Sequence, residues 1–148
     1  MKVLTKVLAV LAAAGLGYDA YVHLHLAKNY DGIGSTITQG ELFRAEAVLA
    51  IAVAVVVLVW ENRWVWVAVG LTGLAGVGAV LLYRYVNVGS IGPIPNMYEP
   101  SWYGDKTWSA FAEGGVVLVF LVREALRMLS AGSAADSADR HVHLAHRS

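Results

Sequence analysis

The stretch "AVLAIAVAVVVLVWENRWVWVAVGLTGLAG" (Ala47–Gly76) sets two long apolar runs on either side of three polar residues, Glu61–Arg63. Extended to their natural limits, the runs cover about 42–60 and 64–86. Each is close to the ~20 residues that a helix needs to cross a ~30 Å hydrocarbon core. Backbone groups in lipid must pair within their own segment, so helix is expected despite the many valines. Joined by so short a turn, the two form a tight antiparallel helical hairpin.

Two further segments have the same character. One is about 3–22, containing "VLAVLAAAGLGY", and the other is about 107–129. The expected fold is therefore all-α: an integral membrane four-helix bundle over 1–129, followed by a disordered cytoplasmic tail over 130–148. Composition agrees with this, since 57% of the 148 residues are hydrophobic and 15% are charged. Typical soluble domains carry about 25% charged residues. Mean hydropathy is +0.56.

The composition also excludes several function classes. The net charge is zero, so no basic field points to nucleic acid. The chain has no cysteine, which removes disulfides, thiolate metal ligands and a cysteine nucleophile. No P-loop, dinucleotide fingerprint, HExxH or GxSxG pattern occurs. The lipid bilayer is the expected partner, with a second copy of the chain or a membrane subunit also possible. No cofactor is specified.

Basic residues set the orientation. With both termini inside, the inner side carries Lys2, Lys6, Arg63, Arg123, Arg127, Arg140 and Arg147, and the outer side carries Lys28, Arg44, Arg84 and Lys106. The chain thus reads as N-in/C-in in the plasma membrane. The tyrosines fall near the outer boundary, and Trp60, Trp64 and Trp66 near the inner one, as aromatic belts do. Met1–Gly17 also has the basic start, apolar core and small residues of a signal peptide. The apolar run continues to Val22, long enough to span, and is kept as the first span.

Charge inside the expected spans is concentrated in one slab. Asp19, Arg44, Glu46, Arg84 and Glu113 come from four segments but all fall in the outer third of the membrane. His23 follows Asp19 at i+4, on the same helical face. Charges at depth are expensive and usually face the bundle interior, where they pair or work. Two readings stand for this polar layer of Asp19, His23, Arg44, Glu46, Arg84 and Glu113. It is a ligand-binding pocket open to the outside, or an ion-pair network that pins the helices. Asp19, His23, Glu46 and Glu113 have the donor types for a divalent cation. Arg44 and Arg84 would repel one, and no metal is assigned. His25 points away from His23 if the helix continues and the same way if the chain is extended. It is expected in a loop. The tail histidines His141, His143 and His146 are read as solvated.

The connection "NVGSIGPIPNMYEPSWYGDK" (Asn87–Lys106) holds all three prolines. Proline fixes φ and denies regular helix. With Tyr98, Glu99, Trp102 and Tyr103 it reads as a rigid cap over the outer mouth. Together, "HLHLAKNYD", "ITQGELFRAEA", "LLYRYVNVGSIGPIPNMYEPSWYGDK" and "SAFAEG" resemble a group of small four-helix integral membrane proteins common in actinobacteria. That resemblance implies the fold and brings no activity. The four-span layout is also loosely similar to DoxX-like proteins, which implies a quinone-linked redox role. No catalytic residue is assigned. The expected function is a non-enzymatic membrane protein that binds a small ligand, ion or partner in the outer polar pocket, or acts as an accessory subunit.

Overall fold

The computed structural model describes the backbone of residues 2–34 and 36–145, and the side chains of 3–34 and 36–133. It is all-helical. Four long helices, α1 (Lys2–Ala27), α2 (Gln39–Val59), α3 (Arg63–Tyr85) and α4 (Gly104–Ala145), follow one another, with a short 3₁₀ turn at Lys28–Tyr30. Three segments are long and apolar enough to cross a membrane: Val3–Tyr30, Gln39–Val59 and Arg63–Tyr85. The expected fourth span is helical as well. Its uncharged stretch is short, however, because Glu113 and the Arg123–Glu124 pair bracket Gly114–Val122.

Local chemistry accounts for the helix ends. Thr38 caps α2 with a reciprocal pair: its hydroxyl accepts from the Glu41 N–H, and the Glu41 carboxylate accepts from the Thr38 N–H. Such a capping box satisfies amide donors that the helix itself leaves free. It starts α2 three residues before the expected span. Asn62 caps α3 by accepting from the Trp64 N–H at 2.8 Å. Beyond α3 the chain is denied helix by Pro93, Pro95 and Pro100, and it turns through Gly89 (φ +69°) and Gly92 (φ +57°). These left-handed conformations suit glycine.

Two expectations change. α1 runs five residues past Val22, so His25 is helical and not in a loop. No glycine or proline interrupts the chain between Gly17 and Gly32. His25 stacks on Tyr21, with ring centroids 6.0 Å apart, and points away from His23. At the other end, α4 continues through 130–133, where the tail was expected to begin. The side chains from 134 onward, including His141, His143 and His146, lie outside the described residues.

The helices form a closed ring of neighbours, α1–α2–α3–α4, with the seam between α2 and α3 the loosest. Small residues let the tighter seams close. Leu8, Ala12, Leu16 and Ala20 of α1 meet Ala47, Ala50, Val53, Ala54 and Val57 of α2, with Trp66, Val69 and Val116 completing the core. α4 is drawn close to both α1 and α3. A Cβ on Gly15 would stand 2.7 Å from Val116 Cγ2, and one on Gly70 2.7 Å from the Phe120 ring. Close backbone approach at small residues is how helices associate when burial of apolar surface gives little drive. The outer faces carry large exposed apolar side chains, among them Val59, Leu71, Leu74, Phe111, Leu118 and Leu121.

These contacts make the seams testable. Gly70→Val forces the Phe120 ring aside and is expected to destabilise the bundle by about 1–3 kcal/mol, the usual cost of overpacking. Gly78, with nothing within 4 Å of its would-be Cβ, is the control. Gly78→Ala should be neutral or stabilising by up to ~1 kcal/mol through helix propensity. Denaturation of the two purified variants against the parent protein measures both.

Candidate functional site

Helix periodicity puts acidic side chains on the inner faces of three helices. On α1, the stripe of Ala12, Leu16 and Ala20 continues into Asp19 and His23. On α4, Ser109, Glu113, Val116 and Phe120 share one face at spacings of three and four. On α2, Glu46 stands one residue before the buried Ala47. These faces meet at the end of the bundle where the two long connections lie.

The resulting cluster is tight. One ligand atom from each of Asp19, His23 and Glu113 lies within 4.8 Å of the others. His23 Nδ1 lies 3.2 Å from Asp19 Oδ1 and 3.1 Å from Glu46 Oε2. It is also 3.1 Å from the Asp19 backbone carbonyl. Ser109 donates its hydroxyl to Asp19 Oδ1 at 2.5 Å. The Phe43 ring meets His23 edge-on at 5.2 Å and fixes the imidazole plane. Asp19 and Glu113 are only 1% and 2% exposed.

Two of these carboxylates keep buried oxygens without a hydrogen-bond partner: Glu46 through Oε2, which still lies 3.1 Å from His23 Nδ1, and Glu113. Both Glu113 carboxylate oxygens are buried and have no hydrogen-bond partner among the described residues. A buried polar group without a partner costs about 1–3 kcal/mol, and more if charged. The fold makes room for the group on purpose: a Cβ on Gly76 of α3 would fall 2.5–3.0 Å from the Glu113 side chain. Gly76 thus serves the carboxylate as well as the packing that its four-residue spacing from Thr72 suggests.

A cavity of about 350 Å³ opens beside the cluster. Leu42, Leu49, Ala79 and Val80 form part of its apolar wall, and His23, Glu46, Ser109 and Glu113 lie at one end. A largely apolar cavity with a few convergent polar groups is the usual form of a small-molecule site. The long connection also contributes to its wall. Glu99 and Tyr103 line the cavity, while Tyr98 and Trp102 remain partly exposed on its outside. The Glu99 N–H donates to the Tyr83 carbonyl at 3.0 Å, and the Gln39 side chain donates to the Asn96 carbonyl at 2.7 Å. These bonds tie the connection to α3 and α2.

The structure therefore divides the six residues of the expected polar layer. It brings Asp19, His23, Glu46 and Glu113 together and leaves both arginines outside. Arg44 holds Asp31 in a two-pronged pair at 2.7 and 2.8 Å, on the surface. Arg84 lies over the Tyr85 and Trp102 rings, 5.0 and 5.8 Å from their centroids. Sequence reasoning missed Ser109, Tyr30 and Lys106. Ser109 was detectable as the residue one turn before Glu113. Lys106 donates to the Glu99 carbonyl and faces Trp102 across the cap.

Tyr30 and Tyr103 join the two long connections through their hydroxyls, 3.1 Å apart. Burial pushes the Tyr103 phenol well above its ordinary range, and the Tyr30 hydroxyl and the nearby Glu99 and Asp105 push the same way. No family model, curated protein or solved structure matches the chain, so its function is read from the site itself.

Because the folded state holds the Tyr103 proton more tightly than the unfolded chain, the stability this gives is complete below the unfolded value of about 10 and is lost as pH rises beyond it. Tyr103→Phe should flatten the fall in stability above about pH 10, as followed by denaturation across that range. An unchanged alkaline slope would show that the tyrosine pair does not hold the cap.

Proposed function

We propose that this chain is a multi-pass protein of the plasma membrane, crossing it four times with both termini inside, and that it binds a small cation or a ligand with a cationic head at the acidic end of the cavity. Membrane insertion is supported by the three apolar helices and by the ring of exposed Leu, Val and Phe side chains. Such a surface is unfavourable in water and normal against lipid. The orientation follows from the excess of basic residues at the end holding Arg63, Arg123 and Arg127. α4 is the fourth span, its Glu113 turned inward, as intramembrane charges are.

The observation that carries the functional reading is the imbalance at the cavity end. Asp19, Glu46 and Glu113 converge there with His23, and Glu113 is left without a partner. Arg44 is paired with Asp31, and Arg84 lies over the Tyr85 and Trp102 rings, so neither forms an ion pair with these carboxylates. Lys106 also lines the cavity, but it is held by the Glu99 carbonyl, and three carboxylates against one imidazole make the Glu113 side of the cavity favour positive charge.

Binding, not turnover, suits the arrangement. Ser109 donates to Asp19 and not to His23. An activated serine needs a base to take its proton, which here would be the imidazole. A quinone-linked, DoxX-like role is the second reading. It is favoured by the Tyr30 and Tyr103 hydroxyls on the cavity wall, which a quinone carbonyl could accept from.

Thermal melting of the detergent-purified protein separates these readings. A medium-chain alkylamine at about 100 times its dissociation constant should stabilise the protein by ~2.7 kcal/mol, whereas an alkyl sulfonate of the same length should not. Glu113→Gln should abolish the amine's effect. Equal response to amine and sulfonate would refute cation selection, and quinone recovered by solvent extraction would favour the second reading.

A further inference from the structure

The acidic cluster has the composition and spacing of a metal site. Asp19, His23 and Glu113 each offer one ligand atom within 4.8 Å of the others. Two of the observed separations already suit coordination. His23 Nδ1 stands 3.2 Å from Asp19 Oδ1 and 3.1 Å from Glu46 Oε2. A tetrahedral ion with bonds of about 2.0 Å needs ligand atoms roughly 3.3 Å apart. Glu113 supplies an independent indication, because its carboxylate is 2% exposed, faces the cluster, and has no partner for either oxygen.

Charge points the same way. Asp19 has His23 and Ser109 beside it, so an ionised Glu113 would add a second negative charge to a buried site, which is costly unless it is matched. One divalent cation matches both. The objection raised by the sequence, that Arg44 and Arg84 would repel it, fails on the geometry. Arg44 is paired with Asp31 and Arg84 is stacked on Trp102 and Tyr85. Lys106 lines the cavity but is held at the cap, where it donates to the Glu99 carbonyl and faces the Trp102 ring.

We propose that Asp19, His23 and Glu113 bind one divalent transition-metal cation, with Glu46 as the fourth ligand. This rests on the reading that the cavity end receives positive charge, and it names the cation. One imidazole nitrogen with carboxylate oxygens suits Zn²⁺ or Mn²⁺ ahead of Mg²⁺ and Ca²⁺, which take all-oxygen shells. The cation takes the place of a proton on His23 Nδ1, which now faces Asp19 and Glu46. Ser109 is a positioning residue: it holds Asp19 Oδ1 through its hydroxyl. Gly76 leaves the space that the Glu113 carboxylate occupies.

The test is calorimetric titration of ZnCl₂ into the full-length protein in detergent, after stripping with a chelator, with MgCl₂ in parallel. One equivalent of Zn²⁺ should bind and Mg²⁺ should not. Asp19→Asn and Glu113→Gln should each weaken binding at least tenfold. Ser109→Ala should weaken it roughly tenfold, as loss of a group that orients a ligand does. Metal-free Glu113→Gln should melt at or above the temperature of the parent, which shows that it folds. Replacing His141, His143 and His146 with alanine should leave the equivalent intact. The proposal is overturned if the parent shows no saturable Zn²⁺ binding, or if binding survives Glu113→Gln and disappears with the tail histidines. If Zn²⁺ fails while the alkylamine still stabilises the protein, the metal assignment falls and the cation-binding reading stands. If both fail, the reading falls too.

Discussion

The packing of the Glu113 carboxylate against Gly76 is the contact on which the rest of the site depends. An acidic group on the inward face of a packed helix needs volume and a partner. The bundle provides the volume by having no side chain at Gly76. It brings up Asp19 and His23 from α1 and Glu46 from α2, and it leaves the partner to be supplied.

Tight and open contacts are distributed accordingly. On the side away from the cavity, α4 approaches α1 and α3 at Gly15, Gly70 and Gly73, where Val116 and Phe120 fill the remaining space. At the far end, Arg123 lies over Trp66 and pairs with Glu124, so this part of the bundle meets its own charge requirement. The cavity end is the only part among the described residues where a carboxylate has both oxygens buried and unpartnered. The long connection, tied down at Tyr83 and Asn96, covers that end with Tyr103 and Glu99 and leaves Trp102 outside.

Much of the architecture was legible in the sequence, because apolar length and the ENR turn dictate helices and their connection, although the hairpin expected to be tight is the loosest seam of the bundle. The boundaries that moved did so for local reasons. The Thr38 capping box starts α2 early, and the absence of a breaker carries α1 to Ala27. The site was legible only in part. Depth along each helix placed six charged or titratable residues in one slab, but depth says nothing about which way a residue faces. Asp19 is nearly fully buried. Arg44 found Asp31 in a loop whose path no periodicity predicts. The consequence is a different set of partners: neither arginine pairs with the carboxylates of the layer, and His23 alone meets Asp19 and Glu46. That Gly76 serves a carboxylate as well as packing could not be read without knowing which residue of α4 it faces.

The central claim is that Asp19 and Glu113, ninety-four positions apart, act as one site. A double-mutant cycle of Asp19→Asn and Glu113→Gln, scored by unfolding free energy of the metal-free protein, tests it most directly. Groups with ligand atoms within 4.8 Å should be coupled. Removing either acid relieves part of the same repulsion, so the double variant should depart from the sum of the singles by about 0.5–3 kcal/mol. Additivity within about 0.5 kcal/mol would mean that the two carboxylates do not meet, and would contradict the account.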